Sequence, residues 1–328
     1  MKKVLLTGCA GFIGAKVAEF LLRSGATVVG VDNMNGYYDV RLKQYRLKLL
    51  KPFKKFSFHR VSILDKKALN RIFGRHKFDA VLNLAAQAGV ASSVKDPHAY
   101  LETNTEGTLR LLELCREYKV PKFFLSSSSS IYTGHAGVFY EEDAANTPYS
   151  PYAASKKAAE AFCHSYRHLY GMDMIIARYF TVYGPAGRPD MAPFKFINRI
   201  QQGKAITIHG NGDQTRDFTY IDDVAEGTVK ALELKGYHII NFGNNRPVTL
   251  LSFVKRIEKC LGKKAVLKKI APVKSDAKNT WASISRAKKL LGWRPKVGLD
   301  EGLRRTVTWH CANKARVSHA KLGYKIPD

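Results

Sequence analysis

Apolar residues in the first third of the chain alternate between short runs of strand length and longer stretches at helical spacing. Val4-Leu5-Leu6 precedes a glycine-rich turn, and from Phe12 to Leu22 apolar side chains recur at helical intervals until Gly25 stops the helix. Thr27-Val28-Val29-Gly30-Val31 reads as a second buried strand. The alternation continues through Ala80-Val81-Leu82-Asn83-Leu84, a helix over 101–118, Phe123-Phe124-Leu125, a helix over 152–169 and Met174-Ile175-Ile176-Ala177. A helix starting near Asp222 leads to a later strand, His238-Ile239-Ile240-Asn241-Phe242. Buried strands alternating with helices of this length predict an α/β fold with a doubly wound parallel sheet.

Punctuation changes after residue 180. Gly184-Pro185, Gly187-Arg188-Pro189 and Gly210-Asn211-Gly212 are loop signals around one helical stretch from Pro193 to Gln202. From Pro247 onward the pattern is shorter helices and basic loops. A smaller α/β second domain is expected in 181–216 and 246–328, interleaved with a first domain in 1–180 and 217–245. The serine run from Ser126 to Ser130 is the one low-complexity tract.

Composition narrows the function classes. In a chain of 328 residues, 45% hydrophobic and 25% charged content excludes disorder as the main state. The formal net charge of +27 is concentrated: residues 41–77 hold 13 basic side chains and one acid, and residues 255–289 hold 12 and two. Such a field favours anionic partners, whether nucleic acid, a membrane surface or a phosphorylated small molecule. No recognisable nucleic-acid-binding motif accompanies it, so a nucleic-acid partner is not expected. Five widely spaced cysteines, with no Cys/His cluster at zinc-ligand spacing, suggest a reducing compartment and no metal. Lys2 and Lys3 before Val4-Leu5-Leu6 imitate a signal peptide, but Gly8, Gly11, Gly14 and Lys16 break the apolar run. No apolar run reaches the ~18 residues of a spanning helix. A cytoplasmic protein without membrane insertion is expected.

Two motifs carry chemistry. Gly8-Cys9-Ala10-Gly11-Phe12-Ile13-Gly14 lies between the first strand and the first helix, where backbone N–H groups and the helix dipole receive a pyrophosphate. Asp32 ends the second strand, placed to accept hydrogen bonds from an adenosine ribose diol and to repel a ribose phosphate, which favours NAD over NADP. Tyr152-Ala153-Ala154-Ser155-Lys156 puts a phenol and an amine one helical turn apart. A nearby ammonium lowers the pKa of a tyrosine enough for it to take a proton from a sugar hydroxyl while hydride leaves the same carbon. The serine run follows a buried strand, at the edge where ligands collect in open parallel sheets.

Together, Gly8/Gly11/Gly14, Asp32, Asn83-Leu84-Ala85-Ala86-Gln87, Asn104 within Asn-Thr-Glu-Gly-Thr, the serine run ending in Ile131-Tyr132, and Tyr152 with Lys156 resemble the extended short-chain dehydrogenase/reductase family over essentially the whole chain. The resemblance implies a Rossmann domain, with Ser128 as catalytic serine, Tyr152 as acid/base, and Lys156 binding nicotinamide ribose and tuning the tyrosine. It also implies NAD contacts from Gly8, Gly11, Phe12, Ile13, Gly14, Asp32, Asn33, Ser62, Ile63, Ala85, Ala86, Gln87, Asn104, Tyr152, Lys156 and Tyr179. Contacts to a UDP-sugar are implied for Ser129, Ser130, Thr181, Arg188, Lys195, His209 and Arg216, and a homodimer is implied as the assembly.

Three stretches look like UDP-glucuronate 4-epimerases within that family: Asp32 to Asp39, Arg178 to Ala192, and Arg216 to Asp223. Thr181 stands where epimerases of neutral hexoses usually carry Asn, and Arg188 offers a planar fork to a sugar carboxylate. Related 4,6-dehydratases carry Asp-Glu, and decarboxylases Glu, in the segment aligned with Ser129-Ser130, whereas no acid lies between Leu125 and Tyr132 here. Departures from the epimerase pattern are Ala91 in place of an arginine, and Ser62 and Ser283 in place of aspartates. The implied reaction is NAD-dependent 4-epimerisation of UDP-glucuronate through a 4-keto intermediate, with Thr181 and Arg188 restraining decarboxylation. The alternatives are a 4-epimerase of a neutral UDP-hexose or UDP-N-acetylhexosamine and, more remotely, a nucleic-acid binder on a dehydrogenase-like fold.

Overall fold

The computed structural model describes residues 3–143, 145–272 and 277–317. Lys2, Lys274 and Asp276, and residues 318–328 of the expected second domain, lie outside them. In chain order the strands are β1 (Lys3–Thr7), β2 (Thr27–Asp32), β3 (Phe56–Arg60), β4 (Ala80–Asn83), β5 (Lys122–Ser128), β6 (Asp173–Tyr179), β7 (Thr181–Tyr183), β8 (Ile206–His209), β9 (Thr215–Arg216), β10 (Phe218–Tyr220), β11 (Tyr237–Phe242), β12 (Val248–Thr249) and β13 (Leu267–Ile270). The helices are α1 (Phe12–Arg23), α2 (Val40–Leu50), α3 (Lys66–Arg75), α4 (Val90–Lys95), α5 (Pro97–Tyr100), α6 (Gly107–Glu117), α7 (Pro151–Tyr170), α8 (Ala192–Gln201), α9 (Ile221–Ala231), α10 (Leu250–Leu261), α11 (Ser285–Leu291) and α12 (Leu299–Ala312).

Seven strands form one sheet in the order β11-β6-β5-β4-β1-β2-β3, every neighbouring pair parallel. Both faces are covered, so the strands bury both sets of alternating side chains. Val4, Leu6, Val28, Phe124 and Ile175 pack with Val17 and Leu21 of α1 and Val224 of α9. Leu5, Val29, Phe123 and Ile176 face the other way, onto Ile72 of α3, Leu111 of α6 and Cys163 of α7. The first cluster continues into Phe196, Phe218, Phe253 and Leu303, so α8, β10, α10 and α12 share apolar packing with the α1 face of the sheet. Strand order reverses between β1 and β4, which opens a crevice at their carboxyl ends.

Several elements differ from the sequence pattern. The basic stretch 41–77, to which periodicity assigned nothing, folds as α2, β3 and α3. Its strand is a sheet edge with only part of its side chains covered, so no unbroken apolar run marks it. The expected helix 101–118 is a π-helical segment, Leu101–Glu106, running into α6. Such segments often occur at functional sites. Past Pro247, α10 and α12 are longer than expected, each carrying an apolar face (Phe253, Val254 and Ile257; Leu303 and Val307) behind its charged residues.

The turn from β1 into α1 depends on glycine for two different reasons. Gly8 has φ +69, a left-handed conformation that side chains disfavour. Gly14 sits so close to the turn that a Cβ there would lie 2.1 Å from the Gly8 carbonyl oxygen, a backbone atom that cannot swing aside. Gly14→Ala is therefore expected to cost roughly 1–3 kcal/mol, read as a lowered Tm, because the helix must move off the strand. Gly36→Ala, whose Cβ would meet open space, is the control expected to stay within about 0.5 kcal/mol.

Candidate active site

A cavity of about 350 Å³ runs along the carboxyl edge of the sheet, from the glycine turn across β4 and β5 to the segment after β6. At one end, the Gly11 N–H bonds the Gly8 carbonyl at 2.9 Å and the Gly8 N–H reaches back to Val31 at 2.7 Å. The turn is thereby tied to the end of β2, where Asp32 sits. Asp32 accepts from the N–H groups of Ala10 (3.2 Å) and Met34 (2.8 Å), and its carboxylate lies 3.4 Å from the Lys43 ammonium. Lys43 also donates to Asn35 at 2.9 Å and lines the cavity. Arg46, one turn further along α2, bonds the carbonyls of Ala10 (3.2 Å) and Ala186 (2.7 Å), joining the glycine turn to the loop before α8. Both residues belong to the basic stretch 41–77, whose composition marks them only as part of a positive field. The available signal was their spacing beside Leu42, Leu47 and Leu50, the buried face of α2.

The middle of the cavity is built on β5 and α7. Strand β5 runs through Ser128, so the serine run is strand rather than linker. The Ser128 hydroxyl accepts from the Ser130 N–H (3.1 Å) and bonds the Tyr152 phenol. Helix α7 starts one residue before Tyr152, with Ser150 capping the Ala153 N–H at 3.2 Å and Pro151 in the first turn. Tyr152 is thus at the positive end of the helix dipole, where a phenolate is favoured. Burial pushes the Tyr152 pKa up, opposed by the Ser128 bond and by the charge of Arg188. Burial also lowers the Lys156 pKa to about 8, opposed by Glu160 on the next turn. The Lys156 ammonium donates to the Ser126 carbonyl at 2.7 Å.

Beneath Lys156 lies a buried polar network absent from the sequence reading. Glu160 accepts both arms of Arg178 (3.0 and 2.8 Å) and the Ser127 hydroxyl (2.6 Å). Arg178 continues to the Tyr132 hydroxyl at 2.6 Å, which bonds Asn241 of β11 at 2.9 Å. Glu160 follows Lys156 by one helical turn, and that spacing was the readable clue.

The cavity lining brings together Gly8, Gly11, Phe12, Ile13, Gly14, Asp32, Asn33, Ser62, Ile63, Ala85, Ala86, Gln87, Ser128, Ser129, Ser130, Tyr152, Lys156, Tyr179, Thr181 and Arg188. Tyr179 turns its hydroxyl away, onto Thr228 at 2.7 Å. Asn104 does not line the cavity. It lies in the π-helical segment and clamps Gln87 through both main-chain groups (2.9 Å each), while donating to Ser155 on α7 (2.9 Å). Lys195 on α8, His209 at the end of β8 and Arg216 in β9 also stand outside the lining. His209 is exposed, and Arg216 donates to the carbonyls of Thr215 (2.8 Å) and Lys278 (3.2 Å).

At the far end, Thr181 and Arg188 share the cavity with Tyr152. The expectation that the Arg188 fork is open to a ligand carboxylate needs correction, because Asp190 already holds it. Nε meets one Asp190 oxygen at 3.0 Å and Nη2 the other at 2.5 Å, and Nη2 also donates to the Ala88 carbonyl at 3.1 Å. Burial works against the guanidinium charge, but Asp190 outweighs it and lifts the Arg188 pKa further above its usual range.

Comparison with known proteins accords with this geometry. Residues 5–306 match the family described as GDP-mannose 4,6 dehydratase. The chain belongs to this extended short-chain dehydrogenase/reductase family. A UDP-glucuronate 4-epimerase of Thermodesulfobacterium geofontis is 49% identical over 97% of the chain and 99% of its own length. Within the family, the crystal structure of UDP-glucuronic acid 4-epimerase from Bacillus cereus, in complex with UDP-glucuronic acid and NAD, is 38% identical with a TM-score of 0.88, covering 94% of the chain and 99% of that protein. UDP-glucose 4-epimerase of Thermotoga maritima, with UDP-glucose, is 33% identical with a TM-score of 0.84, covering 95% and 99%.

The lowered Lys156 pKa has a measurable consequence in this extended short-chain dehydrogenase/reductase. Its ammonium is lost as pH rises through about 8, and with it the positive charge that Lys156 brings to the cavity one helical turn from Tyr152. Turnover is expected to fall on the alkaline side with that midpoint, read from kcat against pH. Tyr152→Phe should abolish turnover across the range yet leave NAD bound, checked by absorbance of cofactor released on denaturation.

Proposed function

We propose that the protein interconverts UDP-glucuronate and UDP-galacturonate by NAD-dependent 4-epimerisation. The observation that carries this reading is one cavity lined by the Ser128, Tyr152 and Lys156 set together with Thr181 and Arg188. Relatives described as UDP-glucuronate 4-epimerases, one of them solved with UDP-glucuronic acid and NAD, support it. The cradle suits a dinucleotide: glycine at positions 8 and 14 lets the turn pack backbone against backbone at the start of α1, and Asp32 lines the same cavity at the end of β2.

In this reading the domain expected in 1–180 with 217–245 holds NAD, and the described residues of the domain expected in 181–216 with 246–328 serve the nucleotide sugar. Bound NAD supplies a reversible hydride acceptor for C4 of the sugar. Tyr152, supported by Lys156, takes the 4-hydroxyl proton and later returns one to the same oxygen on the other face. Ser128 holds that oxygen. Ser129 and Ser130 offer no carboxylate for abstracting a second proton, so the keto sugar is kept from elimination. Arg216, His209 and Lys195 supply the diphosphate and uridine contacts, and Asn104 serves the cofactor by fixing Gln87.

A specific observation also favours epimerisation of a neutral UDP-hexose: Asp190 offsets the Arg188 charge, and Ala91 removes a second expected arginine. Incubation with UDP-glucuronate, UDP-glucose and UDP-N-acetylglucosamine in separate reactions decides between them. UDP-galacturonate without a pentose product is expected from the first, at the highest kcat/KM of the three. Faster turnover of either neutral sugar transfers the assignment to it.

Five free cysteines are compatible with a reducing cytoplasm, and among the described residues no helix is long and apolar enough to cross a membrane. We also infer a homodimer, for which the exposed Leu101, Leu169 and Tyr170 provide apolar surface. Light scattering is expected to give twice the 36.7 kDa chain mass.

A further inference from the structure

We propose that Asp190 is a positioning residue that weakens and orients the hold of Arg188 on the sugar carboxylate, and thereby lets the sugar turn over between the two hydride transfers. The inference rests on the uronate reading above.

Its basis is the donor count on Arg188. A guanidinium carries five N–H groups: one on Nε and two on each terminal nitrogen. Asp190 takes Nε at 3.0 Å and one Nη2 hydrogen at 2.5 Å, and the Ala88 carbonyl takes the other at 3.1 Å. Both carboxylate oxygens of Asp190 are spent on this edge, and its side chain is only 5% exposed. The ring of Tyr37 lies 5.7 Å below the guanidinium, and the Tyr37 hydroxyl donates to the same Ala88 carbonyl at 2.7 Å. Arg188 is therefore held on three sides with its fork closed, and only its Nη1 edge is left for a ligand.

Two consequences follow for a substrate carboxylate. It meets one nitrogen instead of two, so the contact is a single charge-assisted bond without the geometric grip of a bidentate pair. It also meets a guanidinium whose charge is balanced 2.5 Å away, so the net attraction is that of a dipole and falls off quickly with distance.

That weakness suits the reaction. Hydride leaves C4 from one face of the sugar and returns to the other, so the ring must present both faces to the same acceptor. The carboxylate on C5 travels with the ring. A full-charge bidentate grip would anchor it in one orientation and oppose the turn, whereas a single-edge contact to a neutralised arginine releases it. Tyr152 and Lys156 can return the proton only if the turn is completed.

Asp190→Asn keeps the side-chain shape and removes the charge. Measured on the NAD-loaded protein, its Kd for UDP-glucuronate is expected to tighten roughly 3- to 10-fold, as the freed guanidinium meets the carboxylate with its full charge. Its kcat for the same substrate should fall by about tenfold or more, because the ring is held back. For UDP-glucose, Kd should stay within about twofold, since no carboxylate is present. Equal loss of affinity for both sugars would mean that Asp190 only maintains the loop, and would overturn the proposal. If the variant does not fold, the wild type still decides. With the Arg188 charge balanced by Asp190, UDP-glucuronate should bind less than about tenfold tighter than UDP-glucose, and a larger preference would overturn the proposal. Failure of the wild type to convert UDP-glucuronate at all would remove the uronate reading itself, an outcome distinct from either result with Asp190→Asn.

Discussion

A buried ammonium organises the centre of this protein. Lys156 is 3% exposed, and a cation removed from water at that depth requires both an acceptor and a compensating charge. The Ser126 carbonyl is the acceptor, and Glu160, one turn along α7, supplies the charge. Glu160 is in turn held by Arg178 of β6 and Ser127 of β5, and Arg178 is steadied by Tyr132 and, through it, Asn241 of β11. Three adjacent strands thus hold one helix turn in register. Because Tyr152 precedes Lys156 by one turn, the same register places the phenol against Ser128 at the cavity wall.

Charge is handled by pairing at both ends of the cavity as well. Asp32 lines the cavity with Lys43 at 3.4 Å, and Arg188 lines it with Asp190 at 2.5 Å. Paired charges in a partly desolvated pocket discriminate by direction more than by net attraction. The large positive field belongs elsewhere: of the basic stretch 41–77, Lys43 and Arg46 turn inward, while Lys48, Lys51, Lys54 and Lys55 stay in solvent. An outer field of that sign attracts an anionic sugar nucleotide at long range, and salt screens it within about 8–10 Å.

The family name and the local chemistry point to different products, and the difference lies in two side chains. The matching family is described by a dehydratase, yet Ser129 and Ser130 occupy the turn after β5, and no carboxylate lies between Leu125 and Tyr132. One hydroxyl-lined wall beside Tyr152 fits the proposed oxidation and re-reduction at a single carbon. Elimination needs a second base that the wall does not offer.

The amino-acid sequence by itself determined six of the seven strands of the sheet, the glycine turn with Asp32, and the Tyr152 and Lys156 pair, and it missed the edge strand β3. Each is a local pattern: apolar runs of strand length, a strand-turn-helix junction, and a one-turn spacing. It also placed the serine run at a strand end, though not that β5 extends through Ser128. What only the tertiary structure decided is which charges meet. Lys43 and Arg46 look like any other members of a basic stretch until α2 packs and turns them onto Asp32 and the Ala186 carbonyl. Arg188 and Asp190 are near neighbours in the chain, but what sets their pair at the cavity is the packing of their loop against the Ala88 carbonyl, 100 positions away. Burial and partnership of a charged side chain depend on elements far apart in the chain, such as the 140 positions between Arg46 and Ala186, and no local pattern carries that information.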